Sequence, residues 1–234
     1  MPLIKRTYVH IYEGLRYNAD MTYKQIIIPK ISADIPVAVL GDERLLGREL
    51  VCIVSDPTSE DLAAYRIGYA IAAEGYVILC ALQNSAERSA VEGALEAFGK
   101  VVVALPCPLS MVYPEESYEL INQVVKNGGA VFSPYPTFVE QRNRLMGRIC
   151  SSLIVIAAEE GGIAEKTIAV AYKRMTPTAM LMRGVVGGPI PKIAIKYYIH
   201  KYNNKRTLIN YIKGIPDPVT TGAEGYMQAK RDIQ

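Results

Sequence analysis

An α/β sandwich built on a mainly parallel sheet is the fold class that this sequence predicts, and three observations predict it. Short β-branched apolar runs recur through the middle of the chain, each followed by a stretch whose apolar residues fall at helical spacing. The runs are nearly continuous rather than alternating, as expected for strands covered on both faces. The segments after them are polar loops, where open α/β sheets hold their ligands.

Taken in order, residues 1–36 form an N-terminal extension whose short β-prone runs, Tyr8–Tyr12 and Gln25–Ile28, suit an edge or a lid. Strands are predicted at Val37–Leu40, Leu50–Val54, Tyr76–Leu82, Val101–Leu105, Ala130–Ser133, Leu153–Ala157 and Thr178–Met182. Leu153–Ala157 is apolar throughout and is expected near the centre of the sheet. Helices are predicted at Ser59–Glu74, Ser85–Phe98, Tyr118–Asn127, Val139–Ser151 and Glu165–Lys173, the first capped by Asp56, Thr58 or Ser59. This rhythm makes residues 37–188 a Rossmann-like three-layer sandwich. Residues 189–234 are a basic, Tyr-rich C-terminal extension with a polar tail that frays.

The 234 residues, 50% hydrophobic and 21% charged, suffice for one well-buried α/β domain with appendages. No apolar run approaches the ~20 residues of a membrane helix, and Met1–Gly14 lacks the apolar core and cleavage site of a signal peptide. The expectation is a soluble cytoplasmic protein with no membrane partner. Cys52, Cys80, Cys107 and Cys150 are scattered without a C-x-x-C pair, so they read as free thiols and no metal site is expected. Neither G-x-G-x-x-G nor G-x-x-x-x-G-K-[ST] occurs, which argues against dinucleotide oxidoreductases and P-loop hydrolases; no cofactor is expected.

Ligand chemistry should sit on the post-strand loops. Ser55 and Thr58 flank Asp56 and Pro57 after the second predicted strand; the hydroxyls suit an anion at a helix N-terminus, whereas the Asp56 carboxylate competes with one. Asn84 and Ser85 follow the third strand, without a glycine to let backbone approach a phosphate. Arg142-Asn143-Arg144, with Arg148 one turn on, is the sharpest candidate for phosphate contact, the arginines loosely sharing a side of their helix. Its bland alternative is solvation or pairing with Glu140. Glu159-Glu160-Gly161-Gly162 is a further loop at the binding edge, where the acids read either as an acid–base pair or as ordinary helix-start carboxylates. Between Pro189 and Gly214 stand Lys192, Lys196, Lys201, Lys205, Arg206 and Lys213 with no acidic residue, interleaved with Tyr197, Tyr198, Tyr202 and Tyr211. Such a segment tracks phosphates and stacks bases, or packs its tyrosines at helical spacing on the core beneath solvated lysines.

Over roughly residues 37–185 the ordered motifs resemble the DNA-processing protein A (DprA, or Smf) family, and more distantly the cytokinin-activating LOG-type hydrolases. The resemblance rests on Val39-Leu40-Gly41-Asp42 with Leu45-Leu46, on Gly75 to Leu95, on Val101–Leu105 with Val112-Tyr113-Pro114-Glu115, on Gly128-Gly129-Ala130-Val131-Phe132-Ser133-Pro134-Tyr135-Pro136, on Arg142-Asn143-Arg144, and on Gly161-Gly162 with Thr167. The departures are concentrated in phosphate loops. Ser55-Asp56-Pro57 replaces a G-S-R loop; Cys80, Ala81, Ser85, Glu87 and Val91 replace a serine, two glycines, an aspartate and a histidine; Pro134 replaces an acid.

The resemblance implies single-stranded DNA binding in a basic cleft, a homodimer, a recombinase partner in DNA processing or recombination, and no established enzyme activity. The residues it assigns to that cleft, together with those read above, are Arg142, Asn143, Arg144, Arg148, Ser55, Thr58, Asn84, Ser85, Gly161, Gly162, Lys192 and Lys196. Alternatives are a protein that binds a nucleotide or a nucleotide-derived signal, and a LOG-like nucleotide hydrolase, whose P-G-G-x-G-T-x-x-E motif Glu160–Thr167 resembles only faintly.

Overall fold

A computed structural model describes residues 23–27, 37–109, 115–133, 139–181, 192–197, 199–202 and 205–213. Nine strands are described: β1 Lys24–Ile26, β2 Val37–Gly41, β3 Leu50–Val54, β4 Val77–Cys80, β5 Val101–Ala104, β6 Ala130–Ser133, β7 Ser152–Val155, β8 Thr178–Leu181 and β9 His200–Tyr202. They form one sheet in the order β1-β2-β6-β5-β4-β3-β7-β8-β9. The pairings β1–β2 and β2–β6 are antiparallel, and all others are parallel.

The helices are α1 Asp61–Ala73, α2 Ser85–Glu96, α3 Tyr118–Lys126, α4 Val139–Ile149, α5 Ile163–Lys173, α6 Lys192–Lys196 and α7 Lys205–Ile212. Side-chain alternation along each strand divides the interior into two apolar layers. Cys52 and Val54 of β3 face one layer, closed by Leu145, Met146 and Ile149 of α4, Ile168 of α5 and Ile193 of α6. Val51 and Ile53 face the other, closed by Ile67 and Ile71 of α1, Ala90 of α2, Ile121 of α3 and Leu208 of α7. The central strands β3, β4 and β5 are continuously apolar because both of their faces are buried.

The predicted elements recur with boundaries shifted by a few residues, and Leu153–Ala157 contributes β7, wholly buried and paired on both sides by β3 and β8. The predicted cap of α1 is a correction. Its N-cap is Glu60, which makes no side-chain cap, and Asp56 is committed to α5 instead. That is why α5 opens at Ile163, two residues ahead of expectation. The edge role proposed for the N-terminal run is realised by β1, while Tyr8–Tyr12 lies outside the described residues. Sequence set the basic segment apart from the sheet domain at residue 188, yet β9 pairs with β8 and Ile193, Ile199, Leu208 and Ile209 are buried in the two layers. The tail from Pro216 lies outside the described residues.

Candidate functional site

From β3 the chain moves outward through β4, β5 and β6, then crosses by α4 to β7 on the other side of β3. This reversal of winding opens a crevice between the carboxyl ends of β3 and β7, the position at which open α/β sheets take ligands. Ser55 and Asp56 enter it from β3, residues 157–162 from β7, and residues 81–84 from the neighbouring β4.

Three carboxylates organise the crevice from within. Asp56, 5% exposed, accepts the backbone N–H of Glu159 on Oδ2 at 2.9 Å and that of Ala164 on Oδ1 at 3.0 Å. Glu87, 3% exposed, accepts from the Ser55 N–H at 3.1 Å and the Gln83 N–H at 2.8 Å. Burial pushes the Glu87 carboxyl above its ordinary value, against the pull of the Gln83 N–H and the Arg142 guanidinium. The turn that presents Gln83 places Leu82 at φ 58°, a left-handed conformation costly for a leucine. It is held by the Ser117 hydroxyl, which donates to the Leu82 carbonyl at 3.2 Å.

Glu165, in the first turn of α5, accepts the Gly161 N–H on Oε2 at 2.6 Å and both Lys196 Nζ and the Tyr197 hydroxyl on Oε1, each at 2.6 Å. Lys196 first, then Tyr197 and the Gly161 N–H, hold this carboxyl down at about 2. Its stabilising contribution is complete above the unfolded-chain value of 4.5 and disappears as pH falls toward 2. Acid unfolding followed by circular dichroism should therefore be flatter for Glu165→Gln than for the parent across that interval; parallel curves would contradict the assignment.

The residues singled out on sequence meet different fates. Arg142 is 1% exposed, its Nε and Nη2 donating to Asn143 Oδ1 at 2.9 and 2.8 Å and its Nη2 also to Gln83 Oε1. Asn143 Nδ2 donates to the Ile163 carbonyl at 3.1 Å, so the pair ties α4 to the start of α5 and to the β4 loop. Arg144 and Arg148 are exposed, whereas Arg142 is buried; the expectation that Arg142 and Arg144 share a side of the helix is corrected by the 100° turn per residue, which puts positions two apart on opposite faces. Ser55 is buried and its hydroxyl donates to the Asp56 carbonyl at 2.7 Å. Asn84 caps α2, its Oδ1 accepting the Glu87 N–H at 3.0 Å, while Nδ2 donates to the Ser55 carbonyl at 2.7 Å.

Thr58 and Ser85 are half-buried beside these turns, and exposed Gly161 (φ 80°) and half-buried Gly162 form the bend into α5. Lys192 is exposed; Lys196 is paired with Glu165 and lies 5.2 Å from the Tyr197 ring centroid. Tyr197 packs edge-on against Tyr172 at 5.6 Å, and the Tyr211 hydroxyl donates to the Thr178 carbonyl at 3.2 Å, so these two tail tyrosines follow the packing reading. Glu159 and Glu160 are both exposed. The members sequence reasoning missed as site residues are Gln83, Glu87, Glu165 and Tyr197. Only the replacement of a loop aspartate by Glu87 signalled one of them.

Basic side chains are in surplus on one of the two helical layers. The α4, α5 and α6 layer carries Arg144, Arg148, Lys166, Lys173, Lys192 and Lys196 against Glu140 and the buried Glu165. Opposite, α1, α2, α3 and α7 carry Asp61, Glu92, Glu96 and Glu119 against Arg66, Arg88, Lys126, Lys205 and Arg206, besides the buried Glu87. Among the described residues no cluster of His, Cys, Asp and Glu is placed to hold a metal ion, and no helix is long and apolar enough to cross a membrane. Cys52, Cys80 and Cys150 are buried free thiols, and burial pushes those of Cys52 and Cys80 up.

The family model of DNA recombination-mediator protein A matches residues 31–185 of the chain. No curated protein sequence matches it. Among solved structures, DNA processing protein A from Helicobacter pylori, reported for its single-stranded DNA binding mode, superposes with a TM-score of 0.71 at 19% identity, over 83% of this chain and 96% of that one. DNA processing protein A from Streptococcus pneumoniae gives 0.67 at 17% identity, over 81% and 74%. The molybdenum cofactor binding protein from Rippkaea orientalis gives 0.50 at 19%, over 72% and 97%.

Proposed function

The chain belongs to the DNA recombination-mediator protein A family, and from that premise we propose that it binds single-stranded DNA through the basic outer face of α4, α5 and α6. The observation that carries the reading is the surplus of basic over acidic side chains on the α4, α5 and α6 layer, which the opposite layer does not share. A polyanion is attracted to the face bearing Arg144, Arg148, Lys166 and Lys192 more strongly than to the opposite layer, where acids and bases balance. Contacts of this kind position a strand without reading its bases, so the binding is weakly selective for sequence. A homodimer and a recombinase contact belong to the same proposal and are carried by family membership alone.

Fluorescence anisotropy of labelled oligonucleotides of several base compositions, titrated across a salt series, tests this reading. Affinity should fall steeply with salt and differ little between sequences. Replacing Arg144, Arg148 and Lys192 together with alanine should flatten the log–log dependence by ~0.7 for each phosphate of the single strand that is no longer neutralised. Glu165→Gln, which releases Lys196 from its carboxylate, should move affinity in the opposite direction. Tight, base-specific binding that persists at high salt would contradict the reading.

A further inference from the structure

Asp56 makes no contact that the DNA-binding reading uses, yet it occupies the centre of the crevice between β3 and β7. Its two oxygens span the loop after β7 and the first turn of α5, taking the N–H groups of Glu159 and Ala164 at 2.9 and 3.0 Å. These are donors of the kind a helix start and its loop offer to a phosphate. The acid is seated as a ligand would be. It comes from 108 residues away in the chain, it is 5% exposed, and the backbone is shaped around it: a Cβ on Gly162 would lie 2.1 Å from Oδ2.

We propose that Asp56 is a built-in anion that closes this crevice to phosphate, and is therefore the residue that determines which ligands the carboxyl edge of the sheet accepts. An arriving phosphate or nucleotide finds the Glu159 and Ala164 N–H groups taken and a negative charge already in place. The nearby backbone donors offer no substitute, because the N–H groups of Ser55 and Gln83 are both held by Glu87. Arg142 offers none either, being committed to Gln83 and Asn143. The ligand exclusion is thus local, and independent of what the α4–α6 face binds.

The test is the melting temperature of the full chain titrated with inorganic phosphate and with AMP at constant ionic strength, chloride replacing the anion. The parent should not respond. Asp56→Gly should melt earlier in chloride and recover as phosphate rises, with a phosphate affinity about tenfold or more above the parent's, the worth of one recovered charge-assisted hydrogen bond. Adding Ala164→Pro, which removes one donor at a helix position that tolerates proline, should abolish the recovery. Asp56→Ser, which caps one N–H and leaves the other open, provides a second variant should the glycine form fold poorly. A parent stabilised by phosphate as strongly as the variants would overturn the proposal, as would folded Asp56→Gly and Asp56→Ser proteins that both ignore phosphate. Either result leaves the salt series with oligonucleotides unaffected, so the two readings fail separately.

Discussion

Gly68→Ala is expected to destabilise the protein by about 3 kcal/mol, the upper part of the usual range for overpacking. In an exposed helix the same change would stabilise by roughly 1 kcal/mol through propensity. Here packing reverses the sign. A Cβ on Gly68 of α1 would lie 1.8 Å from the Ala90 carbonyl oxygen and 2.6 Å from its carbon, all backbone of α2 that no rotamer change can move aside. The contact is reciprocal, since a Cβ on Gly93 of α2 would lie 2.1 Å from the Tyr65 carbonyl oxygen of α1. The two helices touch backbone to backbone, and either methyl forces them apart and off the sheet layer holding Ile67, Ile71, Ala90 and Ala94. A loss of that size lowers the melting temperature by about 6–12 °C in a chain of this length. The matched control is Gly47→Ala, whose Cβ would meet nothing within 4 Å. Calorimetry should find the control near the parent and Gly93→Ala close to Gly68→Ala. The double variant should lose less than the sum, because one separation relieves both clashes. Equal melting of Gly68→Ala and Gly47→Ala would dismiss the backbone contact.

The same helices show how far the sequence could be read. Apolar runs such as Leu50–Val54 and Val101–Ala104 announce themselves because strands covered on both faces have no polar positions to hide them. The intimacy of α1 and α2 does not, since Gly68 and Gly93 lie in ordinary helical patterns and matter only once the two helices meet. The crevice was harder still. Asp56 was legible as a residue hostile to a bound anion, but its partners Glu159 and Ala164 lie 103 and 108 residues on, a separation no local pattern encodes. Charged side chains are read from sequence as solvated, and Glu87, Arg142 and Glu165 all violate that prior by burying themselves in hydrogen bonds to backbone N–H groups and neighbouring side chains. The triplet Arg142-Asn143-Arg144 reads as a unit because it is contiguous, and the helix divides it between interior and surface.

That division yields the second large effect. Replacing Arg142 with methionine is expected to destabilise by about 3–5 kcal/mol, the range for removing one partner from a buried charged network. It leaves Gln83 Oε1 without its donor, strips Asn143 Oδ1 of the guanidinium, and removes the cation that opposes the burial penalty on Glu87. Lysine should not rescue it, because a single ammonium cannot reproduce the planar fork reaching both Asn143 and Gln83. The pH dependence identifies the cause. A carboxyl raised in the folded state makes the folded chain bind more protons than the unfolded one, so stability falls as pH rises past the unfolded value of 4.5 toward the folded one. Losing Arg142 raises Glu87 further, so the deficit of Arg142→Met should be smallest in mild acid and grow toward neutrality. Adding Glu87→Gln should recover part of it and flatten that slope, though not all, because an amide offers one acceptor to the two N–H groups of Ser55 and Gln83. The folded fraction of Arg142→Met should then bind single-stranded DNA with the parent's salt slope, while Arg144→Ala with Arg148→Ala loses slope without melting earlier. The reverse pattern, a stable Arg142→Met that no longer binds, would move the contact surface from the outer face of α4 into the crevice itself.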